Sequence, residues 1–309
     1  MSKIKIVFAG TSEYANAHLK ELIASRHSIE SVFTQPSRRS GRGLKFKHSP
    51  VRETAYKNNI EIWQPEKISK KEIDILYDIN PDLVVVVSYG LILPEEFLDI
   101  PKYGCINVHP SLLPRWRGAA PIQRSIEYGD NLSGITIMQM NTKLDEGDII
   151  YQEPIEIGKN KTTGELEEKF ISIGKHVLLV TIDSIIENNF MLFPQDHKLS
   201  TYAKKISKSE AQINWEDTAK NIHNKIMAFN PWPIAESSLD GQRIRIFKSE
   251  YDKISISGIP GTIKSFEDNI KVFTKEGILI IKELQKENSK IINAKDFINS
   301  NNLMGKKFK

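Results

Sequence analysis

Along its first half this chain alternates strand and helix patterns, and that alternation limits the folds open to it more than any other feature. Lys3 to Ala9 reads as a strand, the segment from there through Arg26 as a helix with Leu19, Leu22 and Ile23 on one side, and Ile29 to Thr34 as a second strand. Further strands are expected at Glu61 to Trp63, Asp82 to Val87 and Gly104 to Val108. Such alternation predicts a Rossmann-like, mostly parallel sheet with helices on both faces. The turn after the first strand holds only Gly10 rather than three spaced glycines, so NAD is not expected.

The chemistry-bearing residues concentrate between Gly104 and Ile150. Asn107 and His109 lie two apart and share one side of a strand that runs that far. An amide N–H can donate to a carbonyl oxygen gaining negative charge, and an imidazole can manage the proton of an attacking amine or hold the same oxygen. Asp145 falls between the apolar strand Gly134 to Met140 and another beginning near Asp148, on a loop at strand ends, where a carboxylate can orient His109. Taken singly, an Asn or a His near a strand end is most often a satisfied structural polar group. Ligands of open α/β sheets gather at the carboxyl ends of the strands, where these three side chains are expected to converge.

The block GCINVHPSLLPRWRGAAPIQRSIEYGD, followed by GITIMQMNTKLDEGDIIYQ, resembles the catalytic core of the folate-dependent formyltransferases. Other segments extend the resemblance over nearly the whole chain: KIVFAGTSEYANAHLKEL, VFTQPSRRSGRGLKFKHSPVRETA, VVVVSYGLILP and AFNPWP. Ser12 and Tyr14 stand where the family usually has Pro and Phe. The resemblance implies that Asn107, His109 and Asp145 are catalytic. It also implies that 10-formyltetrahydrofolate is the formyl donor and lies beside Ser111, Leu112, Leu113 and Pro114. Among family members those acting on methionyl-tRNA fit best, so the acceptor end of the initiator methionyl-tRNA is the expected partner. Arg115 and Arg117 can equally pair with an acidic cofactor tail or stay in solvent.

From Thr34 to Arg52 the chain carries Arg38, Arg39, Arg42, Lys45, Lys47 and Arg52 with no Asp or Glu, and Gly41 and Gly43 break regular structure. This reads as a mobile positive loop. Alone it could be a solvated surface loop, and it lacks the Walker spacing of a nucleotide triphosphate site. The resemblance assigns Arg38, Arg39, Arg42, Lys45 and Lys47 to the acceptor end of tRNA, through phosphate contacts that position without reading sequence.

A long helix is expected from Thr163 to Ile186: Thr162 and Glu165 have capping-box spacing, and Leu166, Phe170, Ile173, Val177, Val180 and Ser184 follow helical periodicity. Periodicity fades from Asn188 to Glu210, which suits a linker, with the boundary near Ser207. The division is therefore a catalytic domain over 1–188, a linker over 189–208 and a second domain over 209–309. That last part reads as a helix near Glu216 to Phe229, then short strands around Arg243 to Phe247, Gly261 to Ser265, Ile270 to Phe273 and Gly277 to Leu284. Short strands at close spacing suggest a small β-barrel, and the resemblance makes it OB-like. Such a barrel can serve as a platform for nucleic acid or merely prop up the catalytic domain. Sixteen Lys and Arg against thirteen Asp and Glu from Ser209 onward favour the first slightly.

Composition removes other classes. The single cysteine, Cys105, excludes an internal disulfide framework and fits a reducing compartment. The longest apolar run, Leu83 to Val87, is far short of the roughly 18 residues a spanning helix needs, so no membrane is expected and the cytoplasm is. The seven histidines are scattered and form no metal-ligand spacing, so no metal is expected. The chain is expected to be a monomer. Two rivals remain: a formyltransferase acting on a small amine such as a sugar nucleotide or purine precursor, and a non-catalytic RNA-binding protein.

Overall fold

A computed structural model describes residues 2–40, 45–253 and 258–309. By contacts the chain forms two units: Met1–Gly118 with Gly134–Ile155 and Glu168–Tyr202, and Ala119–Ser133 with Glu156–Glu167 and Ala203–Lys309.

The first unit is built on a seven-stranded sheet in the order Ile149–Glu156, Leu132–Gln139, Cys105–His109, Leu83–Val87, Lys5–Gly10, Ser28–Phe33, Glu61–Trp63. The last five are parallel, and Leu132–Gln139 runs antiparallel to Cys105–His109. All five residues of Leu83–Val87 are buried, as a central parallel strand covered on both faces requires. Helix Glu13–Ala24 starts where Ser12 accepts a hydrogen bond from the Ala15 N–H at 3.2 Å, so the serine acts as its N-cap. Leu19 and Leu22 are buried beneath it, and Ile23 is half-buried. Tyr14 is also buried, its ring centroid 4.7 Å from that of His18.

Helix Thr163–Ile186 has the expected span, and its capping box is formed: the Thr162 N–H donates to Glu165 Oε2 at 2.9 Å, and the Glu165 N–H donates to Thr162 Oγ1 at 3.3 Å. Its buried stripe differs from the expected one. Val180 is 47% exposed and Ser184 half-buried, whereas Leu178, Thr181, Ile182 and Ile185 are buried. The middle of the stripe is held by Gly174 and Thr181, residues that an apolar count passes over. Thr181 hides its hydroxyl by donating to the Val177 carbonyl at 2.8 Å. At Gly174 a Cβ would stand 2.9 Å from His18 Nε2 and 3.1 Å from Ile135 Cδ1, so the helix can approach the sheet only without a side chain there. His18 donates Nδ1–H to the Tyr14 carbonyl at 2.8 Å, and burial lowers its pKa to about 4.

In the second unit five strands follow the order Ala235–Leu239, Gln242–Asp252, Ile278–Lys286, Ile270–Phe273, Ile263–Phe266, all antiparallel, with Ile292–Asn293 paired to Ile278–Lys286. The segment 306–309 joins the two outer strands. On one side Ser238 and Lys309 exchange backbone hydrogen bonds at 3.0 and 2.8 Å; on the other the Phe308 N–H reaches the Gly261 carbonyl at 2.8 Å. The sheet is thereby closed as a small barrel, around Phe308 stacked on Trp215 with centroids 5.4 Å apart. Strand Ala235–Leu239 is an element the sequence pattern did not predict. Its inward Ser237 is buried, accepting from Trp215 Nε1 at 2.9 Å and donating to the Lys309 carbonyl at 2.7 Å, so a polar residue occupies a core position. His223 is buried beside Ser249 Oγ at 3.0 Å, and burial lowers its pKa to about 4.

Two outcomes follow from this packing. Gly174→Ala gains about 1 kcal/mol of helix propensity but overpacks His18 at a cost of about 1–3 kcal/mol, so the urea midpoint of the variant falls. His18 and His223 are neutral when folded and take up protons more readily when unfolded. Stability is therefore full above pH 6.5 and declines as pH falls toward 4, which thermal melts across that window will show.

Candidate active site

Strand Cys105–His109 and the loop between Leu132–Gln139 and Ile149–Glu156 bring Asn107, His109 and Asp145 together at the carboxyl edge of the parallel strands. Asn107 Nδ2 donates to Asp145 Oδ1 at 3.4 Å. Because a carboxylate only accepts, this contact fixes which end of the amide faces Asp145 and leaves its second N–H for a ligand. Asp145 Oδ2 lies 3.7 Å from His109 Nδ1 and accepts the Gly118 N–H at 2.7 Å. His109 Nε2 is 2.8 Å from the Trp116 carbonyl, an acceptor, so Nε2 carries the proton. His109 is 4% exposed, whereas Asn107 and Asp145 are half-buried.

The loop bearing Asp145 is seated by close backbone approach. A Cβ at Gly147 would lie 1.7 Å from the Gln139 carbonyl oxygen, so only glycine lets the loop fold back there. Asp145 itself sits in the left-handed region at φ 53°.

Ser111 to Pro114 form a tight turn with a cis Leu113–Pro114 bond. Its polar groups are largely engaged inside the unit. Thr136 Oγ1 donates to the Ser111 carbonyl at 2.6 Å and accepts the Leu113 N–H at 3.1 Å; Gln152 Nε2 donates to the Leu113 carbonyl at 2.8 Å. Ser111 Oγ donates to the Arg115 carbonyl at 2.7 Å. Ser111 and Leu113 are buried, while Leu112 and Pro114 are half-buried and form the accessible part of the turn.

Arg117, which the sequence left open between an acidic cofactor tail and solvent, is 1% exposed. Its Nη1 lies 3.2 Å from Glu146 Oε1, and its Nε and Nη2 donate to Gln195 Oε1 at 3.1 and 2.8 Å. Gln195 is a buried residue that sequence reasoning missed, since it lies within a polar stretch read as linker; no local signal distinguishes it. The basic segment forms two short antiparallel strands, Arg38–Ser40 and Lys45–Lys47, with Arg38 opposite Lys47 and Ser40 opposite Lys45. Lys47 is exposed, and Arg42 lies outside the described residues.

An amide, an imidazole and a carboxylate at the open edge of a Rossmann-like sheet have the chemistry to handle a carbonyl under attack, as an acyl-transferring enzyme must. The chain belongs to the formyl transferase family: residues 2–182 match the family Formyl transferase, and residues 205–302 match Formyl transferase, C-terminal domain. It is 41% identical over 302 residues to the methionyl-tRNA formyltransferases of two strains of Legionella pneumophila, Corby and Philadelphia 1, covering 97% of this chain and 96% of each relative. Solved structures share the fold. An N-formyltransferase from Helicobacter canadensis, in complex with folinic acid and dTDP-3-aminofucose, superposes with a TM-score of 0.69 at 23% identity, over 92% of this chain and 99% of that one. A sugar 3N-formyl transferase solved with dTDP and 5-N-formyl-THF gives 0.68 at 23% identity, over 94% of this chain and 100% of that one.

Thr136→Val removes the hydroxyl that serves both the Ser111 carbonyl and the Leu113 N–H while keeping the side-chain volume. Leaving buried backbone groups unpaired is expected to cost on the order of 2 kcal/mol, read as a lower urea midpoint.

Proposed function

We propose that this enzyme transfers the formyl group of 10-formyltetrahydrofolate to the free α-amino group of the initiator methionyl-tRNA, giving N-formylmethionyl-tRNA for translation initiation in the cytoplasm. The observation that carries this reading is the near full-length similarity, through both family domains, to relatives named methionyl-tRNA formyltransferase.

The donor set suits a formyl group, because Asn107 keeps an N–H for a carbonyl oxygen and His109 holds a second proton on Nε2. The folate supplies the formyl carbon, joined to a nitrogen that can leave once protonated. As the amine attacks that carbon, negative charge gathers on the formyl oxygen, and Asn107 Nδ2–H and the Nε2–H of His109 stabilise it. In this step the His109 proton turns from the Trp116 carbonyl to the stronger acceptor. Asp145 faces the imidazole and holds its ring. The proton shed by the attacking amine passes through a water to the departing nitrogen. Leu112 and Pro114 offer the apolar face, and Ser111 and Leu113 the fixed backbone, beside which the folate rests. Rigidity here preorganises the site.

For the acceptor, Arg38, Arg39, Arg42, Lys45 and Lys47 grip phosphates at the tRNA end. We assign catalysis to residues 1–188, a connecting segment to 189–208 and RNA binding to 209–309. The second unit also carries a cavity of about 430 Å³ lined by Lys159, Lys161, Lys220, Lys253, His223 and Tyr251, whose cations and ring suit a nucleic-acid backbone. The chain acts as a monomer in this reading.

The test is formyl transfer from 10-formyltetrahydrofolate to methionyl-tRNA, uncharged tRNA or a small amino sugar, with purified protein. Product is expected with methionyl-tRNA alone. Transfer to the amino sugar without transfer to methionyl-tRNA overturns the acceptor assignment. His109→Ala is expected to lose about 100- to 1000-fold in kcat with its fold intact. Arg39→Ala combined with Lys47→Ala is expected to raise KM for methionyl-tRNA severalfold and leave KM for the formyl donor unchanged.

A further inference from the structure

We propose that Arg117 and Gln195 are positioning residues for the transfer, forming a buried brace that sets the Asp145 carboxylate against His109. The proposal rests on the reading of Asn107, His109 and Asp145 as the reacting set.

The brace has two arms. In the first, the Gln195 side chain, 6% exposed, donates Nε2–H bonds to the Asp145 carbonyl at 2.9 Å and the Gly147 carbonyl at 2.7 Å. An amide could face either way, but here its orientation is forced. The Arg117 guanidinium has only donors, and two of them point at Oε1, so the nitrogen must face the loop. In the second arm, the next residue along the chain, Gly118, donates its backbone N–H to Asp145 Oδ2 at 2.7 Å. Arg117 therefore lies where both the backbone and the carboxylate of Asp145 are fixed. Its remaining contacts, Glu146 Oε1 at 3.2 Å and His197 Nδ1 at 3.2 Å, tie the guanidinium to the same loop and to the segment that carries Gln195.

Two further observations show that the loop needs holding. Asp145 has φ 53°, a conformation that L side chains leave unless their surroundings hold them in it. His109 Nδ1 and Asp145 Oδ2 are 3.7 Å apart, at the edge of useful contact, so a small outward drift of the loop separates them. Stability alone is a poor reason to bury Arg117. An ion pair withdrawn from water is often no better than a packed apolar group, whereas geometry at a reacting centre is sensitive to displacements near 1 Å.

The experiment is a double-mutant cycle on steady-state formylation of methionyl-tRNA. Gln195→Glu keeps the size and the Arg117 contact but removes both N–H donors to the loop. It is expected to lower kcat about 10- to 100-fold with KM for both substrates within about twofold. In an Asp145→Asn background the same change is expected to lower kcat less than twofold, because the carboxylate it positions is already gone. Arg117→Lys, which keeps the charge but loses the fork that orients Gln195, is read in the same cycle and settles the matter if the glutamate variant does not fold. Losses that add across the cycle, or wild-type kcat in both brace variants, overturn the brace. Wild-type turnover in Asp145→Asn itself instead removes Asp145 from the reaction, and with it the reading on which the brace rests.

Discussion

The carboxylate of Asp145 is the point at which distant parts of the first unit meet. It receives the amide of Asn107 and the backbone N–H of Gly118, and it faces the imidazole of His109. None of these partners is near it in sequence, so the contacts exist only when the sheet is assembled in its full order. The antiparallel pairing of Leu132–Gln139 with Cys105–His109 supplies the decisive step, since it returns the chain to the edge where Asn107 and His109 emerge. Folding and site formation are in that sense one event.

Much of this was readable in the residues, for identifiable reasons. The strand at Glu61–Trp63 and the helix at Thr163–Ile186 fall where the sequence puts them, the helix because the Thr162 to Glu165 box is a clear local signal. Asn107 and His109 could be paired because a strand puts residues two apart on one face. Gln195 and Arg117 could not be so read. An arginine beside tryptophan in a polar loop looks like surface, and its burial depends on a glutamine 78 positions away. The stripe of the long helix was misplaced because a glycine and a threonine mark its centre, and hydrophobicity carries no record of close approach.

The basic segment illustrates a different limit. Its composition fits the phosphate contacts proposed for it, and its two short strands pair with each other, Arg38 opposite Lys47 and Ser40 opposite Lys45. In the proposed reading, recognition of a large substrate and chemistry on a small group draw on different interactions. Charge serves the first, and fixed hydrogen bonds serve the second.

Closure of the second unit by residues 306–309 has its own consequence. A sheet with two outer strands is normally a template for other chains, and here a single short segment bonds to both, helped on the Ala235–Leu239 side by the Ile213 N–H on the Glu236 carbonyl. Loss of that segment would free backbone donors and acceptors on both outer strands at once and uncover the ring of Trp215. The result to expect is self-association, so one short segment guards the second unit against pairing with its own kind.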